Sequence, residues 1–383
     1  MPLYLALRET WRNRSRFVLF SMVIALITTL VLFVAALAGG LATANRQFIE
    51  KLDADLLVYQ ENSDLSASSS RLGVSRVKQV RRVEGVAEAG PIGLSSASVT
   101  LPAGQKPVDV TLVGVEPGEP GTPRLLAGTG LRNRRGNDVI IDDQLAAEVG
   151  VGLGDNLTII TTQGTEEETY DLRVVGLIEE RQYFFQPTIF VPMGTWDNIR
   201  PQALASTDSE TIANIFAVQL IDPSAKEAMA QRIAAAVEGV EVADKPTSIL
   251  AIPGYTAQQS TLNTVQGFTL FIGVLVVGGF FQIQTLQKVP QIGMLKAIGT
   301  SNGIVAITTL LQIVAVTVMG VFIGSVGTLL LSLGLPAGIP ILFSGPAIAL
   351  AIATMLLIGP LGGLVSIRLA SRIEPLTAIG LGK

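Results

Sequence analysis

The sequence predicts an α-helical membrane protein with four transmembrane helices and an α+β extracytoplasmic domain inserted after the first. Three observations lead there. Of 383 residues, 49% are hydrophobic and 15% charged, too apolar for an ordinary soluble chain. Phe17–Ala38, Pro246–Gln287 and the stretches either side of Gly334–Pro340 carry no charge except at Lys288 and Lys296. About 20 apolar residues suffice to cross a bilayer. Last, residues 39–260 hold 18 basic and 29 acidic side chains, a net −11, whereas the remainder carries +7. Basic residues in short flanks stay in the cytoplasm. The N-terminus, Lys288 with Lys296, and Arg368 with Arg372 and Lys383 share that side only if residues 39–260 and the 334–345 turn lie outside.

Residues 1–16 form a cytoplasmic N-terminus, with Arg8, Arg12, Arg14 and Arg16 against Glu9 alone. The first span is 17–38. A signal peptide is the competing reading, but the run is long for one and Gly39-Gly40-Leu41-Ala42 is a poor cleavage site.

The extracytoplasmic domain is 39–260, within which Arg46–Leu52 continues the first helix. Leu56–Tyr59, Val108–Val115, Val139–Ile141, Leu157–Thr161, Tyr170–Ile178, Thr188–Val191 and Asn214–Ile221 read as strands. Ser75–Val83 and Ser224–Val237 read as helices, the second with Ser224 as its N-cap. Gly150, Gly152 and Gly154 mark a turn, and Glu166–Glu168 a solvated hairpin tip. Asp142-Asp143 is open to a helix cap or a cation, and Arg132, Arg134 and Arg135 to solvent or a lipid phosphate.

The second span is 261–285. Residues 286–303 form a cytoplasmic segment in which Ile292, Leu295 and Ile298, with Met294 beside them, suit a short interfacial helix. Pro290 suits its first turn and Gly299 its end. The third span is 304–333, the outer turn 334–345, the fourth span 346–367 and the cytoplasmic tail 368–383. Gly320, Gly324 and Gly327 lie on one helix face, equally suited to packing within one copy or to a dimer seam.

Much chemistry is excluded. The chain has no Cys and no His, so thiol chemistry and the commonest general base are missing. It has no G-x-x-x-x-G-K-[ST], so any ATP is bound by another chain. No catalytic residue, metal site or nucleic-acid partner is expected. The spans contain no ionised residue, which argues against a channel, proton pump or sugar transporter.

The segment "QKVPQIGMLKAIG" resembles the coupling segment of MacB/FtsX-like ABC permeases, although Gln291 stands where that pattern has Glu and the preceding arginines are missing. "LALRETWRNRSRFVLF", "RVVGLIEERQYFF", "GYTAQQSTLN" and "IEPLTAIGLGK" resemble the haem-exporter permeases of Gram-positive bacteria within that class. The resemblance implies a cell-membrane permease subunit, a homodimer in membrane lipid with two ATP-binding cassette subunits, and haem as transported substrate with no permanent cofactor. It implies coupling through Lys288, Gln291, Ile292, Gly293, Leu295, Lys296 and Gly299. Haem iron takes His, Cys, Met or Tyr, and the first two are absent. Tyr183 and Tyr255 fall in matching stretches and are the candidate haem contacts, with Phe184 and Phe185 stacking and Arg71 for a propionate. The alternatives are a mechanotransmitter without a substrate of its own, or an exporter of peptide, lipoprotein or glycolipid.

Overall fold

The computed structural model describes residues 14–100, 106–201, 210–335 and 341–372. Arg8, Arg12, the 336–340 part of the outer turn and the tail from Ile373 onward lie outside the described residues. The chain divides into two compact units, one made of residues up to Leu41 and from Gln258 onward, the other Ala42–Ala257.

The second unit begins with the end of helix α1 (Arg14–Glu50), then β1 (Leu56–Gln60), β2 (Leu72–Gly73) and α2 (Val77–Arg81). Strands β3 (Val86–Val99), β4 (Val108–Val115), β5 (Leu125–Gly128) and β6 (Asp138–Asp142) lead to α3 (Asp143–Val149). Next come β7 (Asn156–Gln163), β8 (Glu166–Ile178), β9 (Gln182–Tyr183), β10 (Gln186–Pro192) and α4 (Met193–Ile199). Strands β11 (Ile212–Ala213) and β12 (Ile215–Leu220), helix α5 (Lys226–Ala236), β13 (Val240–Asp244) and α6 (Lys245–Leu250) follow. The main sheet runs β13-β1-β12-β3-β4-β10-β6-β8-β5, with β7 on β3 and β8, and β9 on β10. Its pairs are antiparallel except β4 with β10 and β6 with β8.

Central strands are buried on both faces, and their alternation divides the interior into two cores. Leu56, Val58, Leu112, Ile141, Ile189 and Val218 face one core, which α2, α3, α4 and α5 cover with Val80, Leu145, Trp196 and Ile233. Leu57, Tyr59, Val113, Ile140, Phe190 and Ala217 face the other. Phe48 and Ile49 from the end of α1 cover it, with Leu52 just beyond the helix and Ile249, Ile252 and Tyr255. Trp196 lies on a glycine floor: a Cβ at Gly93 or Gly114 would come within 2.6 or 2.5 Å of it.

Asp142 resolves as a cap, its Oδ1 accepting the Leu145 N–H at 2.6 Å, and Gly150 closes α3 in the left-handed region at φ +75°. Glu166–Glu168 are exposed just past the Gly164-Thr165 turn. Arg134 pairs with Glu116. Ser224 is not the N-cap: Asp222 Oδ1 accepts its N–H and hydroxyl, and a short 3-10 turn intervenes before α5.

In the first unit, α1 is joined by α7 (Tyr255–Gln287), α8 (Val289–Ala297), α9 (Asn302–Leu333) and α10 (Gly345–Arg372). Among the described residues, four helices are long and apolar enough to span a membrane. With 37 and 33 residues, α1 and α7 reach about 50 Å or more, well beyond a ~30 Å hydrocarbon layer. Gly320, Gly324 and Gly327 all pack within the copy, meeting Ile24, Thr28 and Thr29 of α1. Thr29 Oγ1 donates to the Gly324 carbonyl at 3.0 Å there. Gly278 of α7 meets Gly362 of α10 backbone to backbone, and Gly359 of α10 meets Thr317 of α9. Without a hydrophobic drive between helices in lipid, such close approach is what dispersion needs.

Candidate functional site

The candidate residues fall in two places. One is the second core of the Ala42–Ala257 unit, where the β9–β10 hairpin pairs Tyr183 with Gln186 and Gln182 with Pro187. Its loop is only Phe184-Phe185, at φ +47° and +64°. A two-residue loop with both φ positive is a type I′ turn, which normally selects Asn-Gly. A non-glycine residue held in this region costs about 1–3 kcal/mol. Phe184 and Phe185 are 36% and 44% exposed, the only exposed aromatic rings among the described residues of this unit.

The base of the hairpin is fixed. The Gln182 N–H donates to Gln47 Oε1 of α1 at 3.2 Å, and Gln47 Nε2 donates to the Glu180 carbonyl at 2.8 Å. Arg181, 5% exposed, donates from Nη2 to the Lys51 carbonyl and lies over the Phe190 ring. Burial lowers its pKa to about 10, so it remains charged at neutral pH. Thr188 returns its N–H and its hydroxyl to the Arg181 carbonyl.

From this base an aromatic ladder rises. Phe48 and Tyr183 meet edge-on at 5.3 Å, and Tyr183 and Phe184 at 4.8 Å. Beside it is a crevice lined by Phe48, Tyr59, Ser66, Tyr183, Phe184 and Ile252, of about 10 Å³, room for about one water. Burial pushes the Tyr59 phenol up to about 12. It pushes Tyr183 up as well, with Tyr59 adding a smaller charge effect. Both phenols are therefore neutral donors at physiological pH.

Tyr183 and Tyr255 pack on the same core, and Tyr255 follows two residues after Pro253 of the crevice rim. Phe185 is exposed and does not line the crevice. Arg71 is not among the residues that line it: the residue is exposed, and its backbone N–H donates to Gln60 Oε1. Tyr59 is the residue sequence reading missed. It sits in a four-residue buried run and its period reads as core. Only the β9–β10 connection places Tyr183 near it.

The other place is α8, with Lys288 before it, Pro290 in its first turn and Gly299 at φ +100° after it. Its candidates divide by face. Ile292 is 9% exposed against Val305 and Gly293 is also buried, whereas Leu295 is 43% and Ile298 81% exposed. Gln291 is exposed and Lys296 half-buried. Lys288 turns toward the bundle, donating to Gln312 Oε1 of α9 at 3.3 Å and lying over the Phe17 ring of α1. Gln312 is a second missed residue. Its signal was present, as the lone amide side chain within 304–333.

Comparison with known proteins supplies the class. A family model described as the MacB-like periplasmic core domain matches residues 17–236, and one described as the FtsX-like permease C-terminal matches 263–375. The chain belongs to the MacB/FtsX-like family of ABC permeases, a multi-pass membrane protein with its large domain extracytoplasmic. It is similar to a protein of Staphylococcus haemolyticus named putative hemin transport system permease protein HrtB, at 26% identity covering 98% of this chain and 99% of that one. It is also similar to an uncharacterized ABC transporter permease of Mycobacterium tuberculosis, at 24% identity with 99% of each covered. Among solved structures, the periplasmic region of MacB from Actinobacillus actinomycetemcomitans covers 52% of this chain and 92% of its own, at TM-score 0.37 and 14% identity.

Proposed function

We propose that this chain is the permease subunit of an ABC-type efflux pump that moves haem from the membrane to the outside. Two copies work with two ATP-binding cassette subunits, which hydrolyse the ATP. The observation that carries the reading is the end-to-end similarity to relatives named putative hemin transport permeases, at 26% identity. The residues fit. With neither His nor Cys in the chain, Tyr and Met are the strong iron donors on offer, and Tyr183 lies beside exposed aromatic rings.

In this reading Tyr183 and Tyr255 supply oxygen to the iron or to a propionate, while Phe184 and Phe185 lie against the ring. A phenol must lose its proton to bind ferric iron, and burial opposes that at Tyr183. Ligation there strengthens as pH rises. On the cytoplasmic side, Gln291, Met294, Leu295 and Ile298 form the face that meets the ATP-binding subunit. Lys288 and Ile292 hold α8 to the bundle. Closure of the partners then moves α8, and the Lys288 contacts carry the displacement to α1 and α9.

The test is a visible absorption titration of the purified permease with hemin. Tyr183→Phe with Tyr255→Phe keeps both rings and removes both oxygens. Weaker hemin binding and loss of a high-spin tyrosinate spectrum are expected, with partner assembly intact. An unchanged spectrum rejects the two phenols. The sidedness of α8 is checked in this cysteine-free chain by single cysteines. One at Ser68 should react with impermeant maleimide in intact cells, and one at Asn302 should not.

One observation favours the mechanotransmitter reading: the crevice at Tyr183 holds about one water, far from the several hundred Å³ of a small-molecule pocket. Failure of the purified protein to bind hemin would favour it.

A further inference from the structure

We infer that the Phe184-Phe185 turn is a preformed platform for the face of a tetrapyrrole, and that it holds the macrocycle by its ring irrespective of the central metal. Iron-free porphyrin is then a ligand as well as haem. The inference rests on the haem reading and goes beyond it in ligand class.

The first support is the conflict between residue and backbone. Both loop residues have positive φ, at +47° and +64°, in a turn whose preferred residues are small or flexible. A single such residue is a local accident; two adjacent phenylalanines work against the fold twice. The hairpin cannot relax by swinging, because Gln182 is tied to Gln47, and Arg181 to both Lys51 and Thr188. The conformation is imposed from below and held.

The second support is the chemistry presented. Both rings are exposed while every other described aromatic ring of the unit is wholly or partly covered. The turn from Tyr183 to Gln186 carries no charge. Phe184 meets Tyr183 edge-on, at 84° between rings. The crevice beneath admits about one water, so a flat ligand lies over the tip and not inside it. A broad, uncharged π-surface suits this arrangement, since offset and edge-to-face contacts need ring area and no metal.

The metal contact and the ring contact are thereby separable. On the haem reading Tyr183 is the oxygen donor for iron, and the ring contact at the tip does not depend on it.

The test uses the full chain in nanodiscs, with hemin followed by absorption and iron-free protoporphyrin followed by its fluorescence. Wild type should bind both. Phe184→Asn with Phe185→Gly gives the turn its preferred residues, so the hairpin is retained while the rings are lost. Affinity for both ligands should fall roughly tenfold or more. Phe184→Leu with Phe185→Leu keeps apolar bulk without rings and should show the same loss. Tyr183→Phe should weaken hemin alone. The inference is overturned if wild type binds hemin and not protoporphyrin, or if either ring-free double variant binds protoporphyrin as wild type does. If wild type binds neither ligand, the haem reading fails together with it.

Discussion

The β9–β10 tip and helix α8 are both short, exposed and apolar, yet they are built by opposite rules. In α8 the local preferences agree. Pro290 sits in the first turn, the buried Ile292 faces the bundle, Lys296 stands in the last turn and Gly299 takes the left-handed position that stops the helix. At the tip they disagree, because two phenylalanines occupy positions that favour Asn and Gly. A segment whose task is to move as one rigid piece gains from agreement at every level. A segment whose task is to present a surface can hold side chains its backbone would not choose, provided its base is fixed. On the proposed function, the two regions illustrate transmission and recognition within one chain.

The largest expected effect breaks the α8 half of that comparison. Leu295→Asp with Ile298→Asp places two charges on the exposed face, and association with the ATP-binding subunit should weaken about thirtyfold or more. The permease itself should insert and unfold as wild type does, because both side chains are exposed. Ile292→Asp should do the reverse. It buries a charge against Val305 and lowers the stability of the membrane unit before it affects docking. Co-purification with the partner, together with thermal unfolding of each variant, distinguishes the two. If Ile292→Asp leaves unfolding unchanged, the division of α8 into an anchoring and a docking face is wrong.

A second expectation asks whether the tip is special or whether its whole unit tolerates local misfit. Asp142 is the comparison within the unit. It is fully buried, it caps α3, and burial raises its carboxyl from the ordinary value to about 7, with Glu180 and Asp143 adding repulsion. A carboxyl whose pKa is higher folded than unfolded favours the folded state while it is protonated. That contribution is complete below about pH 4, declines as pH rises, and is gone above about pH 7. Moving a carboxyl from its ordinary value to about 7 corresponds to at most about 4 kcal/mol. Asp142→Asn keeps the capping oxygen and cannot ionise. It should flatten the fall in stability between about pH 4 and pH 7 and stabilise the protein above pH 7. Thermal unfolding across that range checks both, and a wild-type profile that is already flat would place the Asp142 carboxylate in a more polar setting than its burial indicates.

These two regions also mark how far the sequence could be read. The spans, the domain between them and α8 were legible because each rests on a local signal. Uncharged length gives the spans, period-two alternation gives strands such as Val108–Val115, and Pro290 and Gly299 bracket α8. The glycine stripe at 320, 324 and 327 was legible as a packing face but not by partner, because small residues suit any close helix; contact with Ile24 and Thr28 decides it. The crevice was half legible. Tyr183, Phe184 and Phe185 were marked by the resemblance to haem-exporter permeases in a chain without His or Cys, whereas Tyr59 and Phe48 join them only through sheet pairing and through α1 lying on the second core. The positive φ angles at the tip were not legible at all, since Phe-Phe predicts strand continuation and not a turn. Arg71 shows the converse: its charge made it a candidate, but it is exposed and does not line the crevice.

The smallest expected effect sharpens the comparison most, because it concerns stability without any ligand. If the tip is strained, Phe184→Asn with Phe185→Gly should make the protein more stable. Relief at two left-handed positions contributes about 2–4 kcal/mol. Against this, Phe184 loses its contacts with Tyr183 and the crevice wall, about 1–2 kcal/mol for a partly buried ring, and the glycine adds freedom to the unfolded chain. The net gain is about 1 kcal/mol, which for a unit of this size raises the unfolding temperature by about 2–4 °C. Phe184→Leu with Phe185→Leu keeps the left-handed positions occupied by branched side chains, so it should show no gain. Differential scanning calorimetry of the full chain, resolving the extracytoplasmic transition, compares the pair with wild type. Had the phenylalanines been chosen for the fold, both doubles would lower the transition. A rise in the Asn-Gly double alone means that the native turn is held at a cost to stability, as a surface kept for binding would be.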